Sequence, residues 1–266
     1  MNLESSYILS SEQIRSYQSH GYIFLSNVTN REEITFYRSH IRFEVEKLAA
    51  AKDAQGRISD YSKMFTQVTN MWRLNERVKK FVVAKRFAKI AADLMGVNGV
   101  RLYHDQALFK PPGGKQTPWH QDQYYWPLDT TNTITMWMPL VDVPKEMGSM
   151  SFAAGSHTTG SIGHIEISDT SHDIISAIIT ENNYNVESFA LKAGDATFHA
   201  GYTLHSAHPN NGMYSREVMA IIYYADGAKI TEFDNEHRKV DRDVFLPGLN
   251  PGDIAATELN PLLYQK

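Results

Sequence analysis

The run VRLYHDQALFKPPGGKQTPWHQDQ, residues 100–123, is where the chain changes character. Ahead of it, apolar residues recur at helical spacing. Ser11 precedes Ile14, Tyr17 and Gln18, and Gly21 stops the pattern. YIFL (22–25) reads as a short strand. Ile34, Tyr37, Ile41, Val45 and Leu48 then step by three and four over residues 31–50, as an amphipathic helix requires. A further helix is expected from Glu76 to Met95, with Gly96 as its stop. From Val100 onward, short strand-like runs alternate with turns. Strands are expected at 101–109, 118–124, 132–140, 149–153, 187–191, 195–199, 203–208 and 216–225. The turns are PPGG (111–114), KEMGS (145–149), AGD (193–195) and PNNG (209–212).

Residues 156–186 are too many for a plain hairpin loop and hold a helical pattern near His172–Thr180, so an insertion or lid is expected there. Helices first and strands second predict an α+β protein, mainly a β core of the sandwich or barrel kind with helices against one side. No linker divides the chain, so residues 1–266 read as one domain. Its parts are helical support over 1–100, the β core over 101–226 and a C-terminal extension over 227–266.

Composition narrows the function. Twenty-six Lys and Arg against 30 Asp and Glu give a formal charge of −4, which argues against a nucleic-acid binder. There is no cysteine, so thiolate metal sites, iron–sulfur clusters and cysteine nucleophiles are excluded; a metal would be held by His, Asp and Glu. The N-terminal stretch lacks a signal-peptide pattern, and the most apolar run, Val218 to Ala225, is far short of a membrane span. A cytoplasmic protein that acts without a membrane is the expectation.

Two histidine patterns stand out: His120-Gln121-Asp122, and His199, His205 and His208 followed by Arg216. On a strand, residues i and i+2 share a face, so His120 and Asp122 could present one nitrogen and one oxygen together. A second histidine would complete a two-histidine, one-carboxylate set, which leaves coordination positions open and suits non-haem Fe(II). His164-Ile165-Glu166 matches the same short pattern but falls in the insertion. If PNNG centres a hairpin, positions summing to 421 face each other, which sets His205 opposite Arg216 with Cβ atoms roughly 5 Å apart. His199 and His208 are the rival ligands, read otherwise as supporting or surface residues. Arg216 heads an apolar face of Val218, Ala220 and Ile222, where a guanidinium calls for an anion. Its planar fork matches a carboxylate. An external dicarboxylate such as 2-oxoglutarate, chelating iron at one end, would meet it. Elsewhere the aromatic run after Asp122 reads as packing or a substrate wall. The charged stretch EFDNEHRKVDRD (232–243) reads as a solvated surface.

The stretches DQALFKPPGG (105–114), PWHQDQYYWPL (118–128), TMWMPLVDV (135–143), GSMSFAAGSH (148–157), GDATFHAGYTLHSAHPN (194–210) and SREVMAIIYY (215–224) together resemble the phytanoyl-CoA dioxygenase family. The resemblance runs from about residue 15 to 226. It implies a double-stranded β-helix, a jelly-roll, cupin-like fold with N-terminal supporting helices. It implies Fe(II), 2-oxoglutarate and O₂ as reactants, and hydroxylation of a small molecule with release of succinate and CO₂. By resemblance His120, Asp122 and His205 are the iron ligands, and Arg216 grips the far carboxylate of 2-oxoglutarate. Gln106, Lys110, Thr135 and Trp137 fall where the family lines its cosubstrate or substrate pocket. Met147 departs from the Asn that the family often has there. Related halogenases lose the ligand carboxylate, and Asp122 is retained. Two other readings remain at this point: a non-catalytic jelly-roll binding protein, and a cupin-like metalloenzyme that does not use 2-oxoglutarate. Substrate identity and oligomeric state are not legible.

Overall fold

The computed structural model describes residues 3–54 and 66–266. Two helices open the chain, α1 (Ser11–His20) and α2 (Arg31–Ala54), with strand β1 (Tyr22–Leu25) between them. Ser10 caps α1 through a reciprocal pair with Gln13, and Gly21 ends it at φ 78°, where a left-handed turn favours glycine. Strand β2 (Thr66–Thr69) follows, then α3 (Glu76–Val82) and α4 (Lys85–Met95).

The helix expected over 76–95 is therefore broken at Val83 and Ala84. Phe81 and Phe87 pack edge to face with ring centres 5.1 Å apart. Six residues along one straight helix would point them about 120° apart, so the break is what lets both reach the same core.

The β core begins with β3 (Gly99–Lys110) and continues through β4 (Thr117–His120), β5 (Thr133–Pro139), β6 (Met150–Ala153), β7 (Val186–Ser188), β8 (Ala196–Ala200), β9 (His205–Ala207) and β10 (Arg216–Ala225). Helix α5 (Asp169–Glu181) lies between β6 and β7. After β10 come α6 (Glu236–Phe245) and β11 (Leu262–Gln265). Among the described residues the strands form two sheets. The larger runs β1-β8-β5-β10-β3-β11, with β2 also on β3; the smaller runs β4-β9-β6-β7. All the pairings are antiparallel.

Strand β10 shows why the larger sheet sits in the middle. Met219, Ile221 and Tyr223 pack into the core shared with Phe87, Ile90 and Leu94 of α4. Val218, Ala220 and Ile222 face the other way, toward the smaller sheet. Both faces of this strand are buried, so its run of apolar residues is unbroken. The helical layer is tied down by a buried ion pair. Arg86 of α4 donates to both carboxylate oxygens of Glu33 on α2, at 2.8 and 2.9 Å, and to the Val28 carbonyl at 3.1 Å. Glu33→Ala would strand that guanidinium, and unfolding in urea should show a loss of about 3–5 kcal/mol. An unchanged midpoint would remove this pair from the account of stability.

The PNNG turn does not join a hairpin. Strand β9 pairs with β4 and β6, while β10 pairs with β3 and β5, so the chain changes sheets there. His205 lies opposite His120, and Arg216 lies opposite Lys110. Such sheet crossing is what a double-sheet roll requires, and it replaces the expected His205–Arg216 register. The strand expected at 118–124 also ends early: β4 stops at His120, and Asp122–Tyr124 forms a single 3₁₀ turn. The shared-face argument for His120 and Asp122 therefore fails, although the two side chains do meet.

Candidate active site

The register of the larger sheet sets out the floor of a cavity. His104, Ile222, Thr135 and His199 stand in one cross-strand row on β3, β10, β5 and β8. Gln106, Ala220, Trp137 and Thr197 form the next row. Adjacent rows are two residues apart along each strand, roughly 7 Å. Ala220 in the centre is small, and the space above it is part of a cavity of about 340 Å³ between the sheets.

The smaller sheet supplies the opposite wall. His120, the last residue of β4, and His205, the first of β9, are direct cross-strand neighbours with ring centres 4.1 Å apart. Each ring is fixed by its Nδ1 on a backbone carbonyl, Pro118 at 2.8 Å and Thr203 at 2.9 Å. Nδ1 is then the protonated nitrogen, and each Nε2 keeps a lone pair aimed inward. Asp122 reaches between them from the 3₁₀ turn: its Oδ1 lies 3.5 Å from both Nε2 atoms. Its Oδ2 accepts a hydrogen bond from Thr135 Oγ1 at 2.9 Å, which sets the carboxylate plane. One ligand atom from each of His120, Asp122 and His205 lies within 4.8 Å of the others.

Burial alone would push the Asp122 carboxyl up, but the charge of His205 and its contacts with His120 and His199 outweigh this and hold it well below the ordinary range. Burial, and then the neighbouring His205, push His120 down, so its imidazole stays neutral and able to ligate. Two imidazoles and one carboxylate, each oriented from behind, are a donor set that fits a ferrous ion with open positions. His199 adds to that fit. It is 1% exposed, and neither ring nitrogen has a hydrogen-bond partner among the described residues. Its Nε2 lies 3.4 Å from Asp122 Oδ2, outside hydrogen-bond alignment. The surface reading of His199 is thereby excluded. His208 turns away and meets Ser151 Oγ at 2.9 Å.

Arg216 closes one end of the cavity. Its Nη1 donates to the Gly148 carbonyl at 2.8 Å, and its guanidinium carbon stands 5.4 Å from the Trp137 ring centre. Gly148 has φ +80°, and a Cβ there would come within 3.0 Å of the His208 carbonyl, so no other residue fits easily. Gln106, Thr135 and Trp137 line the cavity. Lys110 does not; it lies behind Arg216, donating to His208 O at 3.0 Å and Thr117 Oγ1 at 3.3 Å. Burial, and then the charge of Arg216, push the Lys110 ammonium down to about 6. Burial likewise lowers Arg216, to about 9. Both cations would gain from an anion at this end. Met147, the departure noted in the sequence, is buried among apolar neighbours of the smaller sheet and bridges to Asn210.

The Phytanoyl-CoA dioxygenase (PhyH) family model matches residues 17–218. The chain belongs to the phytanoyl-CoA dioxygenase family. A probable alpha-ketoglutarate-dependent hypophosphite dioxygenase of Stutzerimonas stutzeri is 25% identical over 227 residues, covering 82% of this chain and 79% of that protein. The peroxisomal phytanoyl-CoA dioxygenase of Rattus norvegicus is 24% identical over 163 residues, 56% of this chain; the chain spans about half, 48%, of that enzyme. Among solved structures, the non-haem alpha-ketoglutarate-dependent carbocyclase SnoK of nogalamycin biosynthesis matches with a TM-score of 0.77, 27% identity and 96% of each chain covered. This family member has the expected jelly-roll, cupin-like fold and is an iron- and 2-oxoglutarate-dependent dioxygenase. No helix among its described residues is long and apolar enough to cross a membrane.

The remaining wall of this PhyH-family cavity was not foreseen. The stretch read as solvated surface, 232–243, holds most of α6, whose His237, Asp241 and Phe245 recur every four residues and line the cavity. That spacing places them on one helical face and was the available signal. His104 also lines the cavity and stacks on Phe245 with centres 4.0 Å apart. In the insertion, α5 packs on β4, where Ser171 Oγ donates to the Trp119 carbonyl at 3.1 Å. Glu166 and Ile167, ahead of α5, reach the cavity; the Ile167 amide donates to Tyr125 Oη at 3.0 Å.

Proposed function

We propose that His120, Asp122 and His205 hold the ferrous ion, that Arg216 takes the far carboxylate of 2-oxoglutarate, and that the enzyme hydroxylates a small molecule at an unactivated C–H. The observation that carries the residue roles is the convergence of two backbone-anchored imidazoles and one carboxylate at the cavity wall. When bound, iron with 2-oxoglutarate and O₂ supplies an oxidant able to replace a substrate hydrogen by hydroxyl, with succinate and CO₂ as co-products.

The chain's own contribution is placement. Thr135 holds the Asp122 carboxylate in position. Pro118 and Thr203 hold the two imidazole tautomers. Arg216, stiffened by Gly148 and Trp137, offers the planar fork of its guanidinium to a carboxylate. Trp137, Ala220 and Ile222 give the middle of the floor an apolar patch, where water has few partners. Retention of Asp122 supports hydroxylation over halogenation.

The chain is proposed to act as one domain: β1, β2 and β11, from outside residues 101–226, all join the larger sheet. A cytoplasmic location, a small-molecule substrate and no nucleic-acid partner complete the proposal; cell fractionation checks the first. The decisive experiment supplies Fe(II), 2-oxoglutarate and air to purified protein and measures succinate. Succinate that forms equally without added iron would sink the assignment.

His199 is proposed as a positioning residue, steadying the Asp122 oxygen that does not face the histidine pair. His199→Ala should weaken Mn(II) binding, followed by electron paramagnetic resonance, by about 10–100-fold. Unaltered metal affinity would make it packing alone.

A further inference from the structure

One end of the cavity is not used by the iron and cosubstrate roles. Asp241 lies there, on the cavity face of α6. Its Oδ2 accepts a hydrogen bond from Tyr103 Oη at 3.0 Å, and no Lys or Arg side chain among the described residues pairs with it. Burial pushes this carboxyl up to about 7. His237 on the same face offsets part of that rise and also meets Glu166, Nε2 to Oε2 at 3.3 Å. The surrounding walls are aromatic. Trp126 and Phe245 pack on Tyr103 with ring centres 5.6 and 5.5 Å away, and Tyr125 lines the same space.

These surroundings discriminate by charge. A cation gains a charge-assisted contact with the carboxylate and a second attraction from ring faces. An anion is repelled by Asp241 and then, toward the rim, by Glu166. A wholly apolar molecule would cover the carboxylate and offer it no hydrogen bond in exchange for water. We propose that Asp241 is the specificity-determining residue of this site and that the substrate is an amine, its ammonium group seated on Asp241 against Tyr125, Trp126 and Phe245. The inference rests on the proposed function only in taking this cavity as the substrate's place.

The test is direct calorimetric titration of the metal-free full chain with phenethylamine and tryptamine, with their alcohols 2-phenylethanol and tryptophol, and with hypophosphite as the anionic probe. At least one amine should bind about 10-fold or more tightly than its own alcohol. Asp241→Asn should remove that preference, and Glu166→Gln at the rim should keep it. The proposal is overturned if amines and alcohols bind alike, if no amine binds, if hypophosphite binds best, or if the preference survives Asp241→Asn. The amine–alcohol comparison needs no variant, so it stands even where Asp241→Asn folds poorly. Titration of 2-oxoglutarate with Mn(II) in the same protein separates the two readings: a lost cosubstrate affinity beside an intact amine preference counts against the iron assignment alone.

Discussion

Asp122→Ala should leave the protein folded and without turnover. The carboxylate is the sole anionic member of the three-residue cluster, and it stands 3.5 Å from both imidazole Nε2 atoms. Its removal takes away a ligand and leaves two neutral nitrogens facing a divalent cation. Outer residues that merely orient ligands typically cost about 10–100-fold in metal affinity when removed, and a ligand itself should exceed that. Succinate release should fall by more than about 100-fold, and Mn(II) binding should fall in parallel. The paired readout matters: activity lost with metal affinity intact would mean that Asp122 serves the reaction in another way. Because Asp122 also accepts from Thr135, a thermal melt of the variant tells a lost ligand from a collapsed site.

Arg216→Ala is expected to act on the cosubstrate. The guanidinium is 1% exposed, so a carboxylate reaching it is paired away from water. Truncating one partner of such a pair costs on the order of 2–5 kcal/mol, roughly 30-fold to several-thousand-fold in the apparent affinity for 2-oxoglutarate. Arg216→Lys should recover part of this, since an ammonium brings charge without the planar fork. Normal cosubstrate affinity in the alanine variant would refute the role. Iron affinity should be little changed, which distinguishes this outcome from that of Asp122→Ala.

The three metal-ligand candidates read from the sequence come together, but not by the geometry expected. His120, Asp122 and His205 do converge. The expected geometry was His120 and Asp122 on one strand face, with His205 paired to Arg216 across a hairpin, whereas the actual geometry is a strand end, a 3₁₀ turn and a neighbouring strand. Local pattern could not reveal that the chain passes from one sheet to the other at PNNG, because either pairing satisfies the same alternation of residues. The face of Arg216, Val218, Ala220 and Ile222 was legible, since strand parity depends on no partner. The break between α3 and α4 was not, for Val83 and Ala84 carry no breaker; tertiary packing of Phe81 on Phe87 decides it. Segment 232–243 misled for a related reason. Most of its charges are solvated, and the two residues that matter, His237 and Asp241, emerge once the helix is known to stand over a cavity.

Helix α6 occupies a stretch of chain between β10 and β11 and enters neither sheet. What it adds to the cavity could be rewritten without disturbing a single strand pairing, and without touching the three proposed iron ligands. On the proposed roles, the carboxylate that would select the substrate and the side chains that would hold iron lie on separate stretches of the chain. That separation suits a lineage whose named members work on molecules as unlike as hypophosphite and phytanoyl-CoA. Transplanting this one helix between relatives is the natural place to begin redirecting such a catalyst.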